Sequence, residues 1–309
     1  MKFLPLLAVL VSIGLAGHAA ADDASIIPED VKIEVVSQGD YRFVEGPALA
    51  SDGSIFFSDI PNHSIHRYDP ETGETTLVTD DSGGGNGLMF MSDGKLMVCE
   101  ARTGRRVGVY LLNDKHSDGP VLMSTTPRNF NGPNDIALTR DGQTAYFTDP
   151  NYANRDDALP IEGVYRLNLA IQGASSPGMI PFEAVIDDLK RPNGIGISAD
   201  QQTLYVADNG DKKIWAYPIL ESGQVGEGWL LNDLGDYEKG PDGMTVDHLG
   251  RIYTTIFNEG VLILSPEGER LGFLRTGPQT TNCVFGADGK TLYITAEKSL
   301  KRAVLNTGK

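Results

Sequence analysis

Six oxygen-bearing side chains recur along the sequence, each at the start of a similar stretch. They stand at intervals of 41, 48, 59, 49 and 40 residues and are Glu45, Asn86, Asn134, Asn193, Asp242 and Asn282. Carboxylate and carboxamide oxygens are hard donors, which suit Ca²⁺ and, less distinctively, Mg²⁺, Mn²⁺ or Zn²⁺. Two carboxylates held close together repel each other unless a cation lies between them. If Glu45 and Asp242 meet, the pattern predicts a site for one divalent metal, with Ca²⁺ preferred.

A turn role competes with this interpretation. Asn and Asp before Gly are common turn residues, and several of the six positions read Asn-Gly or Asp-Gly. For Asn86 and Asn282 both interpretations stay open. The turn interpretation is weaker for Glu45, because Glu is not a preferred turn residue.

The stretches behind these residues have the pattern of β-hairpins. EGPALASDGSIFFSD, from Glu45, is typical: a run of β-forming residues, an Asp-Gly turn and a second run. A third run often follows, as in SIHRYD or KIWAYPI, which gives a meander of blade size. Six copies with almost no helical periodicity predict an all-β fold, a six-bladed β-propeller. There the leading residues would open the innermost strands and converge at one end of the channel.

The chain ends are predicted to close the ring. The last copy has room for three strands, whereas VKIEVV, from Val31, precedes the first copy without a partner. Pairing this N-terminal strand with the last blade would remove two exposed sheet edges. Longer connections at 150–161 and 170–181 read as surface loops, one of which could cover the channel mouth.

A second recurring position, at the end of the second strand of each copy, is acidic in four copies. It reads Asp59, Glu100, Asp149 and Asp208, but Ile256 and Ala296 in the last two copies. We interpret these acids as hydrogen-bond acceptors for the turn that follows, because a shared site would need all six.

The N terminus has the pattern of a secretory signal peptide, residues 1–21. Lys2 precedes an apolar run that is too short to span a membrane, and small residues end at Ala21. We therefore expect residues 22–309 to form one propeller domain, exported to the periplasm or the extracellular space. Without Lys2 the chain keeps 25 of its 26 basic residues against 42 acidic ones, a formal charge of −17. That charge disfavours nucleic acid as a partner, and nothing in the sequence fixes the oligomeric state.

Two motifs and two cysteines are assigned structural roles. His63 and His66 could in principle ligate Zn²⁺, and residues 83–85 are all Gly, but turn histidines and a flexible entry loop are the favoured interpretations. Cys99 and Cys283 lie in apolar runs of non-consecutive copies, so we expect buried thiols rather than a disulfide.

Four segments together resemble the SMP-30/gluconolactonase/LRE-like family over nearly the whole chain from Glu45 onwards. They are NFNGPNDIALTRDGQTAYFTDPNY, RPNGIGISADQQTLYVAD, GPDGMTVDHLGRIY and TTNCVFGADGKTLYITA. The resemblance implies a propeller with one divalent metal, held by residues that match Glu45, Asn193 and Asp242. It also implies that Asn134 ligates the metal or contacts substrate, and that Asp242 is the acid/base group. Some relatives carry Arg two residues before this Asn for substrate contact, where this chain has Gly132, with Arg128 further back.

The expected activity is hydrolysis of a small sugar lactone, such as glucono-1,5-lactone, to an aldonate. The metal would polarise the carbonyl, and Asp242 or water activated by the metal would act as base. Serine-hydrolase chemistry lacks its G-x-S-x-G motif. Two alternatives remain: a metal-dependent phosphotriesterase or fluorophosphatase, and a non-catalytic binding propeller.

Overall fold

The computed structural model of this chain describes residues 25–112, 120–127, 130–157, 159, 161–170 and 178–309. The proposed signal peptide and Arg128 lie outside these residues. Six antiparallel sheets follow one another as blades, and the innermost strand of each packs beside that of the next around a closed ring. The predicted all-β, six-bladed propeller is confirmed. In the described part of the chain, no helix has the length and apolar character needed to cross a bilayer.

The strands are numbered in chain order. The first strand is β1 (Glu34–Gln38). Blade 1 contains β2 (Val44–Leu49), β3 (Ile55–Asp59), β4 (Ser64–Tyr68) and β5 (Thr75–Thr79), with a short 3₁₀ helix (Ile60–Asn62) after β3. Blade 2 contains β6 (Gly85–Phe90), β7 (Leu96–Glu100), β8 (Arg106–Leu111) and β9 (Val121–Thr125), and β13 (Gly178–Met179) joins β9 in parallel. Blade 3 contains β10 (Ile136–Leu138), β11 (Thr144–Asp149), β12 (Gly163–Asn168) and β14 (Phe182–Ile186).

The last three blades repeat this order. Blade 4 contains β15 (Pro192–Ile197), β16 (Thr203–Asp208), β17 (Lys213–Pro218) and β18 (Trp229–Asp233). Blade 5 contains β19 (Pro241–Val246), β20 (Ile252–Ile256), β21 (Gly260–Leu264) and β22 (Arg270–Arg275). Blade 6 contains β23 (Thr280–Phe285), β24 (Thr291–Ala296) and β25 (Ser299–Val304), and β1 is its outermost strand.

The N-terminal strand closes the last blade, as predicted. β1 pairs antiparallel with β25, so that Glu34 lies opposite Arg302 and their side chains form a 2.9 Å ion pair. Upstream of β1, Ile26 and Ile27 pack against the core between blades 5 and 6. The two chain ends therefore hold each other, and neither β1 nor β25 keeps an unpaired edge towards the other.

The core lies between the blades. In the described residues, each of the six buried apolar clusters joins side chains of two adjacent blades, including the pair formed by blades 6 and 1. A middle strand such as β3 is therefore buried on both faces: Phe56 packs towards blade 2, whereas Ile55 and Phe57 pack towards blade 6. This explains why such strands read as continuous apolar runs rather than alternating ones.

A bulge recurs where the innermost strands begin. In five blades the pairing with the next strand shifts register beside the leading residue, for example between Glu45 and Ala48 in blade 1. A bulge re-aims the local side chain, so the repeat turns a regular strand into one that can direct a polar group towards the axis.

Candidate functional site

Five of the six leading residues line one cavity of about 600 Å³ at one end of the channel. They come from five different blades and are Glu45, Asn86, Asn134, Asn193 and Asp242. All five are buried in the fold as a whole. The structure thus brings together every residue for which a metal-binding or substrate-binding role was predicted, while those roles remain predictions.

The sixth residue, Asn282, lies beside a carboxyl group that the sequence analysis did not single out. The Nδ2 of Asn282 donates to both carboxyl oxygens of Asp135, at 2.9 and 3.0 Å, and its Oδ1 accepts from the backbone N–H of Cys283. Asp135 and Asn282 line a second cavity of about 220 Å³, which shares no lining residue with the first. The sequence did carry a signal, because Asp135 stands where four of the other copies have Gly.

The three buried carboxyl groups are close enough to disturb one another. Burial, followed by the charges of Asp242 and Asp135, raises the pKa of Glu45 well above its usual range. Burial and the charge of Asp135 do the same to the pKa of Asp242, which the side chain of Asn193 partly offsets. Burial raises the pKa of Asp135 to about 7, against the hydrogen bond from Asn282. Such a group of acids either holds protons or binds a cation.

Among the residues that the structure describes, two carboxamide oxygens at the cavity are buried without a hydrogen-bond partner. They are the Oδ1 atoms of Asn86 and Asn193. The Nδ2 of Asn193 donates to the Tyr152 hydroxyl at 2.8 Å. This bond fixes the orientation of the amide, and its Oδ1 remains available to a ligand. A buried acceptor without a partner is costly, so these oxygens are suited to a ligand that accepts lone pairs.

The turn interpretation is wrong for Asn86, which precedes Gly87, and for Asn282, which precedes Cys283. Both residues lie within innermost strands. The glycines that follow leading residues leave space for the backbone of the neighbouring blade. A Cβ on Gly46, whose φ is +46°, would lie 2.0 Å from the carbonyl oxygen of Asn86. The glycine after Asn193 likewise leaves room for the backbone of Asp242, since a Cβ on Gly194 would lie 2.3 Å from its oxygen. These glycines let the leading residues of adjacent blades approach each other.

The walls of the cavity combine apolar rings with the loop after β11. Phe43, Ile60 and Phe257 supply apolar surface, and Pro150, Tyr152, Ala153 and Arg155 come from the connection predicted at 150–161. That connection does reach the channel mouth. Gly132 also lines the cavity, so the position at which some relatives carry Arg faces it here without a side chain.

The acids at the ends of the second strands accept hydrogen bonds within the fold, with one correction to the expected donors. Glu100 accepts from the side chains of Arg106 and Tyr110, and the other three acids accept from backbone N–H groups. Asp59 accepts from the backbone N–H groups of Arg42 and Phe43, and Asp149 does so from Asn131 and Gly132. Asp208 repeats the arrangement with residues 190 and 191. The donors thus mainly precede the innermost strand of the same blade rather than following the acid in a turn. These carboxylates hold the segments that lead into Glu45, Asn134 and Asn193.

The remaining motifs lie outside the candidate metal set. His66 packs against the rings of Tyr41 and Phe57, and its Nε2 is 2.9 Å from the Ser64 hydroxyl. The triple glycine is a fixed turn rather than a flexible loop: the carbonyl of Gly83 accepts from three backbone N–H groups, those of residues 102, 103 and 104. Cys99 and Cys283 are free and buried in different interblade clusters, as expected.

Within the described residues, no three His, Cys, Asp or Glu side chains are grouped to hold a metal. The candidate set does not conflict with this, because only Glu45 and Asp242 in it are acidic and its other members, Asn134 and Asn193, are amides. Any cation here would depend on carboxamide oxygens to complete its ligands.

Comparison with known proteins gives a consistent picture. The sequence profile of the SMP-30/Gluconolactonase/LRE-like region matches residues 43–298. The chain is similar to a gluconolactonase of Zymomonas mobilis, with 29% identity over 313 residues covering 92% of this chain and 84% of the relative. It is 26% identical over 258 residues to a 6-deoxy-6-sulfogluconolactonase of Pseudomonas putida, covering 81% of each protein. The solved structure of a gluconolactonase from Xanthomonas campestris superposes with a TM-score of 0.75 at 25% identity, covering 90% of both chains.

Proposed function

The chain belongs to the SMP-30/gluconolactonase/LRE-like family, and from this premise we propose that it is a lactone hydrolase that depends on a divalent cation. The substrates are small sugar lactones of the glucono-1,5-lactone type, and the products are aldonates. One observation carries the proposal: buried carboxyl groups from blades 1 and 5 line the same cavity as a buried amide oxygen from blade 4 that has no hydrogen-bond partner among the described residues.

The residues present fit a hard cation. Glu45, Asn193 and Asp242 would hold it, with Asn134 either completing the set or contacting the substrate. All these donors are oxygens, the chemistry of Ca²⁺ sites, which tolerate amide and carboxylate ligands in irregular geometry. The unpartnered Oδ1 of Asn193 supports this assignment, because a cation would satisfy the atom and also relieve the repulsion between Glu45 and Asp242.

When bound, a divalent cation supplies a Lewis acid that polarises the lactone carbonyl and favours the ionised form of nearby carboxyl groups. Asp242 then takes a proton from the water that attacks the carbonyl carbon. The bond between that carbon and the ring oxygen breaks, and Asp242 returns the proton to the departing oxygen. The open product ionises to an aldonate and releases one proton to solvent.

Neighbouring residues prepare this step. Tyr152 holds the amide of Asn193 in one orientation through the 2.8 Å hydrogen bond. Phe43, Ile60 and Phe257 offer apolar surface to the carbon skeleton of the sugar and displace water from it. The hydrogen bonds from Asn282 favour the charged form of Asp135, and that charge raises the pKa of both Glu45 and Asp242.

Proton release from glucono-1,5-lactone, corrected for spontaneous opening, tests the proposal. Protein treated with chelator should be inactive, and Ca²⁺, Zn²⁺, Mn²⁺ or Mg²⁺ should restore turnover, with a phosphotriester as the competing substrate. Asp242→Asn should lower kcat at least about 100-fold, the usual range for loss of a general base. The exposed control Asp81→Asn should leave kcat unchanged. Absence of cation-dependent turnover on every lactone tried would overturn the proposal in favour of a binding propeller.

We further propose that the protein is exported, with residues 1–21 removed. Mass spectrometry of the protein isolated from its native host should then find Asp22 as the first residue. An intact Met1 in the mature protein would contradict export by this route.

A further inference from the structure

The 600 Å³ cavity is lined by residues of both charge signs. Glu45 and Asp242 are acidic, whereas Arg102, Arg155 and Lys239 also line the cavity. This grouping of basic residues stands out in a chain with 26 basic and 42 acidic residues. The proposed hydrolysis assigns no role to these three basic side chains.

Arg155 is held in place from two directions. Its backbone N–H donates to the Oδ1 of Asn151 at 2.8 Å, and its carbonyl accepts from the Nδ2 of the same residue at 3.0 Å. Its side chain is half-buried, and the Nη1 donates to the carbonyl of Asn131 at 2.9 Å. That bond uses one of the five N–H donors of a guanidinium. The group is therefore oriented and retains donors for a ligand.

Arg102 is directed by the triple glycine. A Cβ on Gly84, where φ is +72°, would lie 2.6 Å from the Cβ and 2.8 Å from the Cγ of Arg102. The side-chain stem of Arg102 thus runs directly over the Gly84 backbone, and only glycine leaves that space free. This gives the triple glycine a role that sequence analysis did not find.

The arginines around this part of the cavity differ in their ion pairing. Asp157 forms a 2.8 Å ion pair with Arg105. In the part of the chain that the structure describes, neither Arg102 nor Arg155 has an ion-pair partner within 4.0 Å. Burial lowers the pKa of Arg155, and the positive charges of Arg105 and Arg102 act in the same direction, partly offset by the carboxylates of Asp157 and Asp149. Like charges brought together in this way favour an anion between them.

We propose that Arg102 and Arg155 form an anion subsite for a terminal oxyanion on the substrate, so that the preferred lactones carry a carboxylate, sulfonate or phosphate. This inference rests on the proposed lactone hydrolysis. The lactone carbonyl goes to the acidic residues and their cation, and the charged substituent goes to the arginines. Guanidinium groups suit this task because they donate two parallel hydrogen bonds to such an anion.

Kinetics on matched substrates test the subsite. We compare glucono-1,5-lactone with 6-phosphoglucono-1,5-lactone, which adds a phosphate, and glucono-1,4-lactone with glucaro-1,4-lactone, which adds a carboxylate on the same ring size. The protein should prefer at least one charged substrate, and the preference should fall as salt rises. Arg155→Gln should lower kcat/KM for that substrate about 10-fold, mainly through KM, which corresponds to the loss of a charge-assisted hydrogen bond. For the neutral lactone, kcat/KM should change less than about 2-fold. Arg155→Lys should recover part of the kcat/KM lost on the charged lactone, because lysine keeps the positive charge.

The controls separate this inference from the proposed function. Arg270→Gln alters an exposed arginine on blade 5 that pairs with Asp236. It should leave kcat/KM unchanged for both neutral and charged lactones. An equal loss on neutral and charged lactones in Arg155→Gln would show a purely structural role, and no preference in the unmodified protein would also overturn the subsite. If no lactone is turned over, calorimetry with 6-phosphogluconate and gluconate still tests it. Tighter binding of the phosphorylated compound, lost in Arg155→Gln, supports the subsite, and equal binding overturns it.

Discussion

The most consequential residues are three carboxyl groups that share the inside of the channel. Glu45 and Asp242 line the larger cavity, and Asp135 lines the smaller one, where both of its carboxyl oxygens accept from Asn282. Burial raises the pKa of all three, and the charge of Asp135 adds to the shifts of Glu45 and Asp242. The protein without a cation thus stores electrostatic repulsion at its centre.

This repulsion predicts an unusual pH dependence of stability. A carboxyl whose pKa rises from 3.8 unfolded to about 7 folded, as at Asp135, binds more protons in the folded state. Its contribution to stability is therefore complete below pH 4 and is lost as the pH rises towards 7. Asp149, with a pKa of about 6, adds a smaller effect of the same sign. Calorimetry of the chelated protein should give a lower Tm at pH 8 than at pH 5, and excess Ca²⁺ should recover the loss at pH 8.

The variant Asp135→Asn isolates the effect. Burial lowers the pKa of His66, so its protonation at acidic pH favours unfolding. The dependence of the unfolding free energy on pH therefore combines opposing contributions from His66 and the carboxyl groups. The contribution of His66 is the same in both proteins, so it cancels when the two curves of unfolding free energy against pH are subtracted. The free energy of unfolding of the unmodified protein, minus that of the variant, should fall by a few kcal/mol between pH 5 and pH 8. That is the order of magnitude into which the pKa shift of Asp135 converts. Identical profiles would contradict a charge penalty at Asp135.

At the scale of strands, the decisive element is the start of each innermost strand. The bulge directs the leading side chain, the glycine behind it admits the adjacent blade, and an acid from the next strand of the same blade holds the entering backbone. The three features act together in blade 4 at Asn193, Gly194 and Asp208. Site geometry therefore depends on backbone packing between blades as much as on the ligating side chains.

Gly194→Ala tests this dependence. The added Cβ would lie 2.3 Å from the carbonyl oxygen of Asp242 and 2.9 Å from the carbonyl carbon of Gly243, so blade 5 must shift. Overpacking of this kind costs about 1–3 kcal/mol, which a urea unfolding curve can measure. Activity should fall further, about 100-fold, because small displacements of catalytic groups are that costly. Gly235→Ala, at an exposed turn with its nearest contact at 3.1 Å, is the matched control; equal behaviour of both variants would contradict the argument.

At the scale of the whole molecule, stability comes from ring closure. Each blade contributes residues to two interblade clusters, so an open ring would expose apolar surface on the two blades at the break. The closing contacts join distant parts of the chain: β1 pairs with β25, and the hydroxyl of Thr281 donates to the carbonyl of Val44 at 2.9 Å. The site spans five blades, so its shape depends on this closure.

Deletion of residues 22–40 should therefore destabilise the entire propeller. It removes β1 together with Ile26, Ile27 and Val31, which pack against the core between blades 5 and 6. Partial burial of these apolar side chains predicts a loss of about 3 kcal/mol or more, seen as a lower Tm. Glu34→Gln, which removes only the exposed ion pair with Arg302, should cost less than about 1 kcal/mol. An unchanged Tm in the deletion variant would rule out closure as a source of stability.

The sequence by itself determined the fold and five of the polar residues that line the larger cavity. Alternating and apolar runs, the turn residues between them and the six leading positions are local patterns, which survive as strands because each blade forms from consecutive residues. The unpaired VKIEVV segment was enough to predict how the ring closes, since an unsatisfied sheet edge needs a partner.

Only the tertiary structure decided what depends on contacts between blades. Whether Asn86 and its glycine form a turn or face the adjacent blade depends on a backbone 40 residues away. The charge role of Asp135 requires Glu45 and Asp242, and the subsite at Arg155 requires Arg102 from blade 2. Coulombic interactions and steric exclusion act over distances in space. No spacing along the chain reports those distances until the blades have packed into a ring.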